Sequence, residues 1–163
     1  MTSFAERAIV AASKLLEPIR TAAGWATECG ALVLQSPVPV QLDENLYWRT
    51  SVYEAEETLT GHIGGPAVRS IGILEVGQNL FIDTATKADP GKEALQHQRI
   101  KTDHRKALSP ASGGLADDAG EIGHIEHLGC VLIPEFLSSG FVIVRTRIVI
   151  HFTEAWGDPS REP

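Results

Sequence analysis

Residues 141–152 read FVIVRTRIVIHF and alternate without a break. Val142, Val144, Thr146, Ile148, Ile150 and Phe152 fall on one side, and Phe141, Ile143, Arg145, Arg147, Val149 and His151 on the other, which is the period of a half-buried strand. At about 3.3 Å per residue the run spans roughly 40 Å, longer than the five or six residues of an ordinary strand. The strand is therefore expected to extend past its sheet. Gly157, Asp158 and Pro159 supply turn chemistry at its end, and residues 153–163 read as a short C-terminal tail. A long strand with one apolar face demands a core to cover, and it constrains the rest of the chain accordingly.

The chain has enough material for that core. Its 163 residues are 43% hydrophobic and 21% charged, the composition of a single globular domain spanning residues 1–163. A net charge of −7 argues against a sequence-independent grip on duplex DNA, which needs a concentrated basic face. Cys29 and Cys130 are far apart and form no CxxC pair, so reduced, buried thiols are expected rather than a disulfide framework. No apolar run reaches membrane-spanning length, and no basic segment leads into an apolar one at the N-terminus. A soluble chain made inside the cell is the expectation.

Taken in order, the chain opens on Ser3 and Glu6, a capping box that starts a helix at once. Ala5, Ile9, Ala12, Leu16 and Ile19 give it an apolar stripe, and Pro18 predicts a kink or an end near Leu16. Residues 29–34 read as a short strand and residues 46–59 as a longer one whose glutamates suggest a solvated extension. Gly61, Gly64, Gly65 and Pro66 predict a turn or loop. Residues 70–76 and 79–84 predict a hairpin about Gly77 and Gln78. Asp89 and Pro90 predict a second helix running to Leu108, with a narrow buried stripe of Leu95, Ile100, Ala107 and Leu108. Residues 109–121 have the composition of a mobile acidic loop. Residues 122–133 return to strand chemistry before the terminal strand. The sum is an α+β domain: a mixed, mostly antiparallel sheet of four to six strands with two helices packed on one face.

The search for chemistry returns little. His124, Glu126 and His127 have the residue types of a metal site, yet on a strand two histidines three apart point to opposite faces, whereas an HEXXH site sets them four apart on a helix. His97 and His104 share a helical face and read as a surface stripe. Burial in apolar runs is expected to raise both cysteine pKa values and quiet the thiols. Residues 61–66 lack the spacing of a phosphate cradle, and no nucleophile elbow is present. Paired acids at Glu56 and Glu57 and at Asp117 and Asp118 read as solvated charge rather than a general acid/base pair. Trp25 and Trp48 read as core or rim packing, and Trp156 as an anchor for a neighbour. No catalytic residue, cofactor or metal is assigned.

The order of these pieces resembles the tail terminator proteins of long-tailed bacteriophages. In that family an N-terminal helix leads to a glycine-aromatic stretch and a first strand, which Gly24-Trp25-Ala26-Thr27-Glu28-Cys29-Gly30 and Val33 resemble. A helix ending in Asp-x-x-x-Ala-Leu follows, which residues 103–108 resemble, with His104 where the family has an aliphatic residue. A long strand and an Asp-Pro dipeptide close the pattern, as Phe152-Thr153-Glu154 and Asp158-Pro159 do here. The resemblance implies a structural virion protein that forms a hexameric ring at the head-proximal end of the tail tube, ends tube polymerisation and joins the tail to head-completion or neck proteins. It is made and assembled in the host cytoplasm and needs no membrane. A ring requires a heterologous interface, for which Arg145, Arg147, His151 and Trp156 are the candidates. Asp117, Asp118 and Glu121 would face a lumen through which DNA passes without being gripped, their charge repelling phosphate; the competing reading is a solvated loop. Two alternatives stand beside this one: another neck component of the same fold, and a small metal-dependent hydrolase using His124, Glu126 and His127.

Overall fold

The computed structural model describes residues 3–35, 48–64, 67–81, 90–110, 113–133 and 141–155. The elements run α1 (Phe4–Leu16), two 3-10 turns (Thr21–Ala23 and Cys29–Ala31), β1 (Val33–Gln35), β2 (Trp48–Gly64), β3 (Ala67–Phe81), α2 (Pro90–Ala107), β4 (Gly114–Asp117), β5 (Gly120–Ile133) and β6 (Phe141–Ala155). The strands form one six-stranded sheet in the order β1-β2-β3-β6-β5-β4. β1 joins β2 in parallel, and the other neighbours are antiparallel. This is the expected α+β architecture.

The capping box forms, with the Ser3 amide donating to Glu6 Oε2 at 2.8 Å and the Glu6 amide to Ser3 Oγ at 3.2 Å, satisfying two of the helix's orphan donors. α1 stops at Leu16, two residues before Pro18. Its buried face is Phe4, Ala8, Ala11, Ala12, Ser13 and Leu16, not the stripe expected through Ala5 and Ile9. Two forces set that rotation. Phe4 stacks on Phe152 of β6, with ring centroids 6.0 Å apart and planes 12° apart, and small side chains at 8, 11 and 12 let the helix lie close on the sheet. Ser13 is tolerated inside because its hydroxyl donates to the Ile9 carbonyl at 2.8 Å.

The strand expected over residues 29–34 is confined to β1. The Gly30 amide donates to the Ile19 carbonyl at 2.9 Å, and a Cβ there would run into the carbonyl oxygens of Leu16 and Glu17. The segment is thus tied to the end of α1 as a 3-10 turn before the chain reaches the sheet.

Two further expectations are corrected in the central hairpin. Residues 61–64 belong to β2, and β3 runs through Gly77 and Gln78 without turning. Gly77 serves close approach: the Ser51 hydroxyl donates to its carbonyl at 3.3 Å, and an added Cβ would sit 2.9 Å from that hydroxyl. Gly65 and Pro66, expected in the same turn, lie outside the described residues.

The acidic loop expected over residues 109–121 is also corrected, since it contains β4 and the turn into β5. Gly113 and Gly120 take positive φ of 71° and 124°, where glycine is the unstrained choice. β6 does not run past its sheet. β3 pairs with it residue for residue from Phe141 to Ala155, while β5 pairs with it between Ile143 and His151, so residues 153–155 are strand rather than tail.

Both helices cover one face. Val144, Thr146, Ile148, Ile150 and Phe152 of β6 are all buried there with Val52, Leu74, Val76, Leu16, Ile100, Leu108 and Leu115, each large apolar side chain stabilising the fold by about 1.5–3 kcal/mol. From α2, Leu95 is 49% exposed rather than buried, and His104, expected on the surface, is fully enclosed.

Candidate functional site

The face of the sheet away from the helices carries the charge. Alternation turns Arg145, Arg147 and His151 outward, and register sets Gly77 of β3 opposite Arg145 and Glu75 opposite both Arg147 and, on β2, Tyr53. Glu75, only 8% exposed, accepts from the Tyr53 hydroxyl. It lies 3.2 Å from Arg145 Nε and 3.9 Å from Arg147 Nε. Arg147 also reaches Glu56 at 3.9 Å, and His151 Nε2 lies 3.1 Å from Glu126 Oε2. Burial and then the bond to Glu75 push the Tyr53 phenol up to about 12. The basic side chains proposed for an interface therefore meet acids of their own subunit, and the arginine side chains keep 45% and 41% exposure. Trp156 lies outside the described residues.

On the helix side three stretches meet. The Thr27 hydroxyl donates to Asp103 Oδ2 at 2.7 Å and sits 3.0 Å from the Cys29 sulfur. Lys106 lies over the Trp25 ring, 4.3 Å from its centroid. One helical residue beyond Asp103, His104 Nδ1 lies 2.9 Å from Thr146 Oγ1 on β6. Burial lowers the His104 pKa to about 4, so the ring is neutral. Burial also pushes Cys29 up to about 12 and raises Cys130, as expected from their apolar settings; both thiols are free. Trp25 and Trp48 pack against the core from its margin.

His124 is exposed on the outer face, while His127 turns toward α2 and bonds Ser109 Oγ at 3.0 Å and the Leu108 carbonyl at 3.1 Å. The spacing argument for opposite faces holds. Among the described residues no group of three His, Cys, Asp or Glu side chains converges as a metal site would. Beside His127 a cleft of about 350 Å³ opens between α2 and β5, lined by Lys101, Arg105, Leu128, Gly129, Cys130 and Thr146.

Of the three acids assigned to a lumen, Asp118 and Glu121 are exposed. Asp117 is held by a two-pronged pair with Arg7, Nε to Oδ2 at 2.7 Å and Nη2 to Oδ1 at 2.8 Å, which keeps its carboxyl near 2. Its charge is offset within the subunit.

Sequence pattern alone does not single out Glu75 or Thr27. Glu75 had a signal, a lone acid inside the apolar run ILEVG, whereas nothing local marks Thr27 as the partner of a residue 76 positions away.

The fold defines a two-layer α+β domain, two helices on a six-stranded mixed sheet. No protein-family model matches the chain, and no curated protein matches it. Among solved structures it is similar to the sheath/tube terminator of an extracellular contractile injection system, PVC, determined by cryo-EM in the extended state, with 10% identity and a TM-score of 0.35. The similarity covers 95% of this chain, which spans 60% of the length of the other. No helix among the described residues is long and apolar enough to cross a membrane.

Proposed function

We propose that the chain is a structural subunit of a phage tail, forming a ring at the head-proximal end of the tail tube that ends tube polymerisation and joins the tail to head-completion proteins. The observation that supports this reading is the meeting of the stretches that carry the family resemblance. Residues 24–30, residues 103–108 and the long terminal strand are distant in sequence, yet Thr27 bonds Asp103, Lys106 covers Trp25 and His104 bonds Thr146. A pattern defined only by order becomes one packed unit. His104, the departure from the family's aliphatic residue, is accommodated as a buried neutral ring.

In this reading the chain works through surface rather than chemistry and is not an enzyme. It is a virion protein assembled in the host cytoplasm, closing as a hexamer around a passage for DNA. Light scattering tests the closure, with a ring of six times 17.6 kDa as the expected mass. Deleting the protein is expected to give overlong tails without heads. Tails of normal length beside unjoined heads would instead identify another neck component of the same fold.

A further inference from the structure

β5 breaks its alternation beside α2. Its register with β6 shifts between His127 and Gly129, and Gly129 takes a φ of 139° with open space where a Cβ would stand. The extra residue is Leu128. Strict period two would send it to the outer face with its back to His127, yet it lines the cleft against α2 and stands 51% exposed. Bulges re-aim a side chain in this way. Residues 128–133, LGCVLI, carry no charge, and Val131 is 57% exposed as well, so the bulge lies in a stretch of apolar surface of the kind that marks a contact.

The facing wall of the cleft is cationic. Lys101 and Arg105 stand one turn apart on α2 and both line it. Neither has an ion-pair partner among the described residues, whereas Arg7, Arg145 and Arg147 each meet an acid of their own subunit. Asp103, the acid nearest them in sequence, is buried and takes its bond from Thr27. Between the walls lie Cys130 and Thr146, register partners on β5 and β6. The space of about 350 Å³ is at the small end of ligand pockets and admits side chains from a segment laid along it.

We propose that this cleft docks an acidic segment of another protein, whose carboxylates meet Lys101 and Arg105 while a neighbouring apolar side chain packs on Leu128. The cations select an anionic partner. The leucine selects a peptide over a phosphate backbone, because a grip on duplex DNA needs a concentrated basic face and gains nothing from an aliphatic rim. A second copy has few carboxylates to offer, since Glu56 meets Arg147, Glu126 meets His151, and Asp118 borders Arg7 and Lys14. The site goes beyond the ring reading and does not depend on it.

Peptide binding to the full chain tests it. The probe is a fluorescein-labelled peptide of alternating Asp and Leu, read by anisotropy at low salt, with Lys/Leu and Asp/Gly peptides as controls. The Asp/Leu peptide should bind saturably, and about three- to tenfold more weakly to Lys101→Glu with Arg105→Glu, the scale of two exposed charge pairs. Leu128→Asn should weaken it too. Lys14→Glu with Arg99→Glu makes the same change of net charge elsewhere and should bind like the parent. The peptide should also slow alkylation of Cys130, which is half-buried in the cleft, while Cys29 is fully enclosed. Binding that ignores the cleft reversals would overturn the site, and equal binding of the Asp/Gly peptide would reduce it to charge attraction. Displacement of the probe by a duplex oligonucleotide at equal concentration would make it a phosphate site instead. Cys130 protected in a purified oligomer and freed on dilution would place a second copy in the cleft and overturn the choice of partner. No binding, with Cys130 alkylated at the same rate throughout, would overturn the proposal outright.

Discussion

His104 shows how one enclosed side chain couples this fold to pH. Its ring is fully buried, one nitrogen faces the Thr146 hydroxyl, and among the described residues Nε2 has no hydrogen-bond partner. Because burial lowers its pKa from 6.5 to about 4, the unfolded chain binds more protons than the folded one between those values. Stability is then complete above about 6.5 and falls as pH drops toward 4. The shift corresponds to roughly 3 kcal/mol at 1.36 kcal/mol per pKa unit. Urea unfolding followed from pH 7 to 4.5 should show that loss, with a slope of up to one proton. His104→Leu removes the titrating group and the unpartnered nitrogen together, so its profile should lose that slope. An unchanged slope in the variant would place the proton uptake on another residue. Asp117 acts in a separate window, since its lowered carboxyl contributes above about 3.8 and loses that contribution toward 2.

At the scale of elements, two glycines separate rigid from yielding contacts. A methyl at Gly30 would meet backbone carbonyls of Leu16 and Glu17, which cannot rotate away, whereas one at Gly77 would meet the Ser51 hydroxyl, which can. Gly30→Ala should therefore destabilise by about 1–3 kcal/mol, the cost of overpacking, and Gly77→Ala by clearly less. Thermal melts of the two variants check the order. The same pair explains which elements were legible in the sequence. The capping box at Ser3 and the alternation over residues 141–152 are local rules, and the structure follows them. Gly77 reads as a turn in the sequence because a glycine beneath a neighbour's hydroxyl and a glycine in a turn look alike without the neighbour. β4 has the composition of a loop and is held as strand by β5 and by an Arg7–Asp117 pair 110 residues apart. The outward placement of Arg145 and Arg147 was legible from period two, but their partner Glu75 was not, since it is set by the register with β3.

For the whole molecule, the length of β6 first pointed to a strand outrunning its sheet, and the structure instead lengthens β2 and β3 with it. β5 reaches β6 only as far as His151, and past Phe152, whose ring packs on Phe4 of α1, the central strands run on as a three-stranded arm. The residues that hold the core, Val52, Leu74, Val76, Ile148 and Ile150, lie on the near side of that arm. Fold and assembly should thus be separable. Thr58 and Ile71 are register partners, so replacing residues 59–70 with an Asn-Gly turn closes the hairpin where the strands already meet, in the turn type that suits their twist. The shortened chain should keep a cooperative melt with a midpoint within several degrees of the parent. It also loses residues 59–64, half of the β2 stretch that follows Val52, and a single-subunit mass by light scattering would place subunit contact on that arm. Collapse of the melt would show that the arm is part of what holds the domain together. An intact oligomer would show that subunits meet through the core half of the sheet.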